Sequence, residues 1–276
     1  MLEDLRWLSA GFCLHPEFMS IRGGSWRPCR FAAGFLYLRH RRHGVCLFDT
    51  GYSDHFQTET RSFPNQLYAR LMPPRFEGAD RACEQLRRLG IAPQDVRSII
   101  VSHFHADHIA GLRDFPKASI VCAEPAYAAM RRARGLRGLL QGLLPGLMPD
   151  DSDARVRFIE SFDAVALPPP LAAFGHGRDI IGDRSVLAVD LPGHGVAQIG
   201  LFIPETSNGP LLLAADAAWS LEAVKNLLPP PRLVTALLGD SKTYLSTLAK
   251  LHKLHHAAPE VTIRPAHCRL EQAVAA

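Results

Sequence analysis

Hydrophobic and polar positions along the chain alternate between two patterns. Apolar runs of strand length recur at 35–38, 45–48, 96–101, 119–122, 211–215 and 261–264, while the segments at 78–89, 124–134 and 241–256 predict helices. The first two runs are separated by the basic turn 39–44, a hairpin signal. Residues 53–76 carry little periodicity and contain Pro64, Pro73 and Pro74, which predicts an irregular surface connection. In the helix at 78–89, Ala79, Ala82, Cys83, Leu86 and Leu89 share one stripe, with Asp80, Arg81, Glu84, Arg87 and Arg88 opposite and Gly90 as the stop. Further strands are expected between 157 and 202, broken by Pro168 to Pro170 and by Gly193-His194-Gly195. No solenoid repeat is present, and strands and helices mixed in this order predict an α/β layered domain.

Composition narrows the class. The 276 residues are 47% hydrophobic and 21% charged, enough to bury a substantial core and unlike a disordered chain. A net charge of +4 is too small to imply nucleic-acid binding, and only 131–134 concentrates basic residues. Six cysteines are scattered without a C-x-x-C pair, so free thiols in a reducing compartment are expected. With no secretory signal and no apolar stretch approaching the roughly 18 residues of a membrane span, a cytoplasmic protein with neither a membrane nor a nucleic acid as partner is expected.

The chemistry concentrates where the strand at 96–101 ends in Ser102-His103-Phe104-His105-Ala106-Asp107-His108. Three imidazoles and a carboxylate within six positions of a strand end project from one tight loop, and these are groups that zinc and similar ions coordinate. Three further candidates close later strands or glycine-rich turns: His194 in 191–195, Asp216 after 211–215, and His267 after Arg264-Pro265-Ala266. A strand end followed by small residues places a side chain at the rim of a sheet, where a metal can be shared.

H-x-H-x-D-H at a strand end, then P-G-H, then a strand ending in Asp, then a last strand ending in His, resembles the metallo-β-lactamase superfamily. Phe48-Asp49-Thr50-Gly51 is similar to that superfamily's first strand motif. The resemblance runs from about Ala33 to His267. It implies an αββα four-layer sandwich formed as one domain over 1–276, with a cap-like insertion at about 126–149. It also implies two divalent ions, zinc by donor chemistry with iron, manganese or cobalt as alternatives. His103, His105 and His194 would hold one ion, Asp107, His108 and His267 the other, and Asp216 would bridge. Histidine rather than glutamate at the motif's second position argues against the di-iron flavoprotein branch, and the set is nearer the glyoxalase II, lactonase and phosphodiesterase branches. Asp49 is read as a residue that holds a ligand or fixes its loop, or else as a turn former.

The implied activity is hydrolysis of a small ester, lactone or thioester by a metal-bound hydroxide, with Asp107 orienting the nucleophile or relaying its proton. Residues 192–200 and 215–218 are most similar to the N-acyl-homoserine-lactone lactonases. Those enzymes carry a substrate-binding Tyr three residues after the bridging Asp, where this chain has Trp219. An indole N–H donates a hydrogen bond but cannot accept one. Cys268 stands where Asp is common in the relatives, and reads as a buried structural thiol. The leucines and arginines of 126–149 form either a cap over the site's mouth or an ordinary amphipathic surface. His252, His255 and His256 have metal-compatible spacing, yet their place near a helix C-terminus suits solvation or the helix dipole better. Two alternatives stay open: a phosphodiesterase of the same fold, and a regulatory or binding protein that keeps its metals but is plugged by Trp219.

Overall fold

The structure is a computed structural model that describes residues 1–268. Its strands are β1 (Leu2–Pro16), β2 (Pro28–His40), β3 (Gly44–Phe48), β4 (Pro74–Arg75), β5 (Val96–Ile100), β6 (Ser119–Cys122) and β7 (Val156–Phe158), then β8 (Ala164–Ala166), β9 (His176–Asp179), β10 (Leu187–Asp190), β11 (Ile199–Ile203), β12 (Leu211–Ala215) and β13 (Thr262–Pro265). The helices are α1 (Asp54–Glu59), α2 (Gln66–Leu71), α3 (Ala82–Arg88), α4 (Ala106–Ile109), α5 (Glu124–Arg132), α6 (Gly135–Leu140), α7 (Ser152–Arg155), α8 (Leu221–Asn226), α9 (Arg232–Leu238) and α10 (Ser241–Ala257).

Among the described residues the first seven strands form one sheet in the order β4-β1-β2-β3-β5-β6-β7, and the other six form a second in the order β13-β12-β11-β10-β9-β8. In the first sheet β3, β5, β6 and β7 run parallel. The second is antiparallel except where β13 joins β12.

Period-two alternation shows how the sheets stack. On β11 and β12, Ile199, Leu201, Ile203, Leu211, Leu213 and Ala215 join Phe35, Leu47 and Ile99 in a core shared with the first sheet. Their neighbours Phe202, Leu212 and Ala214 pack instead on Tyr244, Leu248 and Leu251 of α10. On the far side of the first sheet, Phe56 of α1, Cys83 and Leu86 of α3, and Tyr127 and Met130 of α5 join the large core. The layers are therefore helix, sheet, sheet, helix, the four-layer α/β arrangement expected.

The second strand of the hairpin, the strands at 96–101 and 119–122, and the long helix near 241 lie where the pattern predicts them, within a residue or two, while the hairpin's first strand runs over Pro28–His40, well beyond the run at 35–38. Two differences have physical causes. Residues 2–16 form the longest strand, paired along β2 with shifts of register at Leu2/Asp4 and Ser9/Phe12, and those irregularities blur the alternation that marks a strand. The stretch 53–76 holds α1 and α2 in place of an irregular connection, each of six residues and too short to show a period. No helix among the described residues is long and apolar enough to cross a membrane.

Leu213 is fully buried between the sheets. Leu213→Ala is expected to cost about 2–5 kcal/mol through lost burial and the cavity left behind. The check is the urea midpoint, and an unchanged midpoint would contradict the packing described.

Candidate metal centre

The seven ligand candidates come from strand ends on the adjoining edges of the two sheets. His103 and His105 lie in the loop after β5, and Asp107 and His108 on α4, which opens immediately after it. His194 follows β10, Asp216 follows β12 and His267 follows β13. Glycine makes the His194 turn possible: Gly193 has φ +125°, and a Cβ there would stand 2.4 Å from the Tyr244 backbone of α10. Before Asp216, Ala215 adopts φ +45° where the β12–β13 register shifts. Asp49 at the end of β3 has φ +61°. Left-handed backbone at non-glycine residues is costly and clusters at functional sites.

Two groups of donor atoms result, each within 4.8 Å internally: His103, His105, His194 and Asp216, and Asp107, His108 and His267. His105 Nδ1 lies 3.0 Å from His103 Nε2 and 2.9 Å from His194 Nε2. Asp216 stands between the groups. Its Oδ2 is 3.3 Å from His194 Nε2 and 3.1 Å from His267 Nε2, and its Oδ1 is 3.4 Å from His108 Nε2. Asp107 Oδ2 lies 3.7 Å from His108 Nε2 and 3.8 Å from His267 Nε2. Donors bonded to one tetrahedral ion at about 2.0–2.1 Å are about 3.3 Å apart, so the spacings match shared coordination. His108 Nε2 and Asp216 Oδ1 are buried and make no hydrogen bond among the described residues. Orphaned polar atoms of this kind call for a partner, and the donor set fits divalent ions.

The outer nitrogens of four imidazoles are pinned. His108 Nδ1 binds Asp49 Oδ2 at 2.7 Å, and Asp49 also accepts from the backbone N–H and hydroxyl of Ser102. The Ser102 oxygen lies 3.0 Å from His103 Nδ1. His105 Nε2 donates to the Gln141 carbonyl at 3.1 Å, and His267 Nδ1 to the Ala32 carbonyl at 2.7 Å. Such bonds fix ring orientation and tautomer and leave the inner nitrogen's lone pair for an ion. Asp49 thus fixes the ring of His108, a candidate ligand, and does more than form a turn. Ser102 and the carbonyls escaped sequence reasoning; for Ser102 the available signal was a hydroxyl directly preceding the histidine cluster.

Electrostatics divides the groups. Burial, followed by neighbouring imidazoles, pushes His103 well below the usual histidine range. Burial likewise lowers His105 and His194, against the pull of nearby carboxylates. Burial also opposes charge on His108 and His267, yet Asp107 and Asp216 raise both, helped at His108 by Asp49. Burial disfavours the Asp216 anion, but His267 and His108 hold its carboxyl well below the ordinary range.

Other candidates separate from the cluster. His252 and His256 lie against the Val224 and Lys225 carbonyls at the end of α8, and they join no metal-ligand group among the described residues. Arg131 pairs with Asp153 at 2.9 Å, and Arg134 donates to the Arg131 and Ala133 carbonyls. Cys268 is buried, 5% exposed. Trp219 packs edge-on to His194 and His267, at 5.8 and 6.1 Å between ring centres.

Asp49→Asn is expected to weaken zinc binding about 10–100-fold, the usual effect of losing such a support. Competition with a chromophoric chelator checks it, and an unchanged affinity would remove Asp49 from the centre. Because Asp107 and Asp216 favour the protonated forms of His108 and His267, ions must expel those protons, and zinc affinity should climb as pH rises through and above the ordinary imidazole range. A flat profile by calorimetry would contradict this charge arrangement.

Comparison with known proteins agrees with the geometry. An N-acyl homoserine lactonase of a Bacillus species is 26% identical over 220 residues, covering 80% of this chain and 75% of that enzyme. A probable metallo-hydrolase of Mycobacterium tuberculosis is 31% identical over 160 residues, which span 55% of this chain and about half, 46%, of that protein. The solved structure of an N-acyl homoserine lactone hydrolase with N-hexanoyl-L-homoserine at its metal centre superposes with a TM-score of 0.70 at 21% identity, covering 99% of this chain and 96% of that one. A dizinc quorum-quenching lactonase gives 0.65 at 16% identity, with 97% and 89% covered. Residues 34–258 match the model of the metallo-β-lactamase superfamily, and the chain belongs to that superfamily.

Proposed function

We propose that the protein is a dinuclear metal-dependent hydrolase that opens a small lactone or closely related ester. The observation that carries this reading is the pair of ligand groups sharing Asp216 beside an open cavity. His103, His105 and His194 would hold one ion, Asp107, His108 and His267 the other, with Asp216 between them. When bound, two such ions polarise a carbonyl and lower the pKa of water between them towards neutrality. Zinc suits this donor set best, and iron, manganese and cobalt accept the same groups.

The remaining work falls to the chain's own side chains. Asp107 is the more open of the two carboxylates, 8% exposed against 3% for Asp216, so it is the one placed to orient the nucleophile and pass its proton to the leaving oxygen. Trp219 has its indole N–H buried without a partner among the described residues. That N–H would donate to the substrate carbonyl, with the ring held against His194 and His267.

A cavity of about 400 Å³ opens on His103 and His105, lined by Ala126, Ala129, Gln141 and Leu143 on one side and Val196, Leu237 and Leu238 on the other. This placement supports 126–149 as a cap over a small-molecule site, and its aliphatic lining suits an acyl substituent. It also favours an enzyme over a plugged binding protein. Arg131 and Arg134 are engaged with Asp153 and backbone carbonyls, which speaks against a basic groove for phosphodiesters. The relatives described as N-acyl homoserine lactonases support a lactone as the bond broken, and free cysteines throughout fit a reducing cytoplasm.

The test is a panel of an acylated lactone, an aryl ester, a thioester and a bis-aryl phosphodiester with zinc-loaded protein. The lactone should turn over fastest, chelation should abolish the activity, zinc should restore it, and Asp107→Asn should lower kcat about 100-fold or more. Turnover of the phosphodiester alone would overturn the reading.

A further inference from the structure

Large apolar side chains that the fold leaves in solvent gather at the mouth of the metal-facing cavity. Leu136, Leu140, Val196, Leu233 and Leu237 are 42–82% exposed. Val196 and Leu237 line the cavity on one side, and Leu140 ends α6 directly before Gln141, which lines it on the other. The two sides face each other because each is tied to the centre. Leu143 forms an isolated β-bridge with His105, and Gly239 forms one with His194, and the facing nitrogens of those two imidazoles stand 2.9 Å apart.

A surface helix ordinarily turns its apolar stripe towards the core. Leu136 and Leu140 of α6, like Leu233 and Leu237 of α9, are spaced to share one helix face. That face is turned to solvent here, and the buried positions of the two helices are Gly138 and Thr235. Contiguous exposed apolar surface of this kind marks an interaction site. Cations flank it: Arg132 and Arg137 beside and on α6 and Arg232 at the start of α9 are exposed, while Arg131 is paired with Asp153. Asp240, the acid in the cavity lining, accepts from the Thr243 N–H and caps α10.

We propose that this leucine-rich, arginine-flanked mouth docks on an anionic lipid bilayer, with the leucines seated at the boundary between headgroups and acyl chains and the arginines against lipid phosphates. Contacts between proteins centre on aromatic anchors, and none of the five exposed side chains is aromatic. Leucine bordered by arginine is the composition of a segment that lies in a membrane interface, and exposed cations complement a surface of anionic headgroups. The sequence predicts no membrane partner because it lacks a spanning stretch, and a contact confined to the surface needs none. In this orientation the cavity opens towards the bilayer, so a substrate with an acyl chain passes from lipid to the metal centre without crossing water. The docking is independent of which bond the centre breaks.

Co-sedimentation of the zinc-loaded protein with vesicles reads the partition without any turnover. One vesicle set is phosphatidylcholine alone and the other is phosphatidylcholine mixed with phosphatidylglycerol, and sedimentation velocity without lipid reads self-association. The parent should bind the anionic vesicles about tenfold more tightly than the neutral ones, and raising salt from about 0.1 to 0.5 M should release it. Arg132→Glu with Arg137→Glu, and separately Leu136→Ser with Leu233→Ser, should each weaken binding about tenfold, while Arg132→Lys with Arg137→Lys, which keeps the charge, should retain it. These side chains are exposed, so the variants should keep the parent's urea midpoint. Equal binding to both vesicle types, no binding to either, or leucine variants that bind as the parent does would overturn the proposal. So would a parent dimer that Leu136→Ser with Leu233→Ser converts to monomer, since the patch would then belong to a second copy of this chain.

Discussion

The Asp216 carboxylate is the constraint on which the centre depends. It is buried at 3% exposure, and an uncompensated carboxylate in such a place would take up a proton. It stays ionised because His267 and His108 converge on it, one on each oxygen. Those imidazoles arrive from different sheets: His108 follows β5 and His267 follows β13. The two sheets must therefore stack so that these strand ends share one rim, and the core of Leu47, Ile99, Leu201 and Leu213 between them is what fixes their relation. Packing and electrostatics are coupled here, since displacing one sheet would strip the carboxylate of its counter-charges.

Support for the candidate ligands comes from groups outside the two donor clusters. Asp49, Ser102, Gln141 and Ala32 each take the outer side of an imidazole or hold its neighbour. The positive φ angles at Asp49 and Ala215 lie at the strand ends that aim these side chains. Strain of about 1–3 kcal/mol per such residue is tolerated where surrounding contacts over-determine the conformation, and the buried strands on either side provide those contacts. Strand ends and pinned rings together give the geometry its definition.

The clustering of the candidate ligands was legible in the sequence because these residues sit beside strong local signals. The run 96–101 is an unmistakable buried strand, so the histidines after it had to lie at a sheet rim, and Asp216 and His267 follow similar runs. The first strand was not legible, because the register shifts within residues 2–16 hide its alternation. Nor could the carbonyls of Gln141 and Ala32 be foreseen, since every residue has one and only tertiary contact selects which is used. Trp219 stood out in the sequence by its distance from Asp216, but its contacts with Phe31, His194 and His267 are a property of the folded site.

The central claim is that two ligand groups share one carboxylate, and metal content measured together with its dependence on Asp216 tests it most directly. Purified protein reconstituted with zinc, freed of excess ion and analysed by mass spectrometry should hold about two ions per chain, and Asp216→Ala should lower the affinity of both. One ion or none in the reconstituted parent, or an Asp216→Ala variant that keeps both ions at undiminished affinity, would contradict the shared centre.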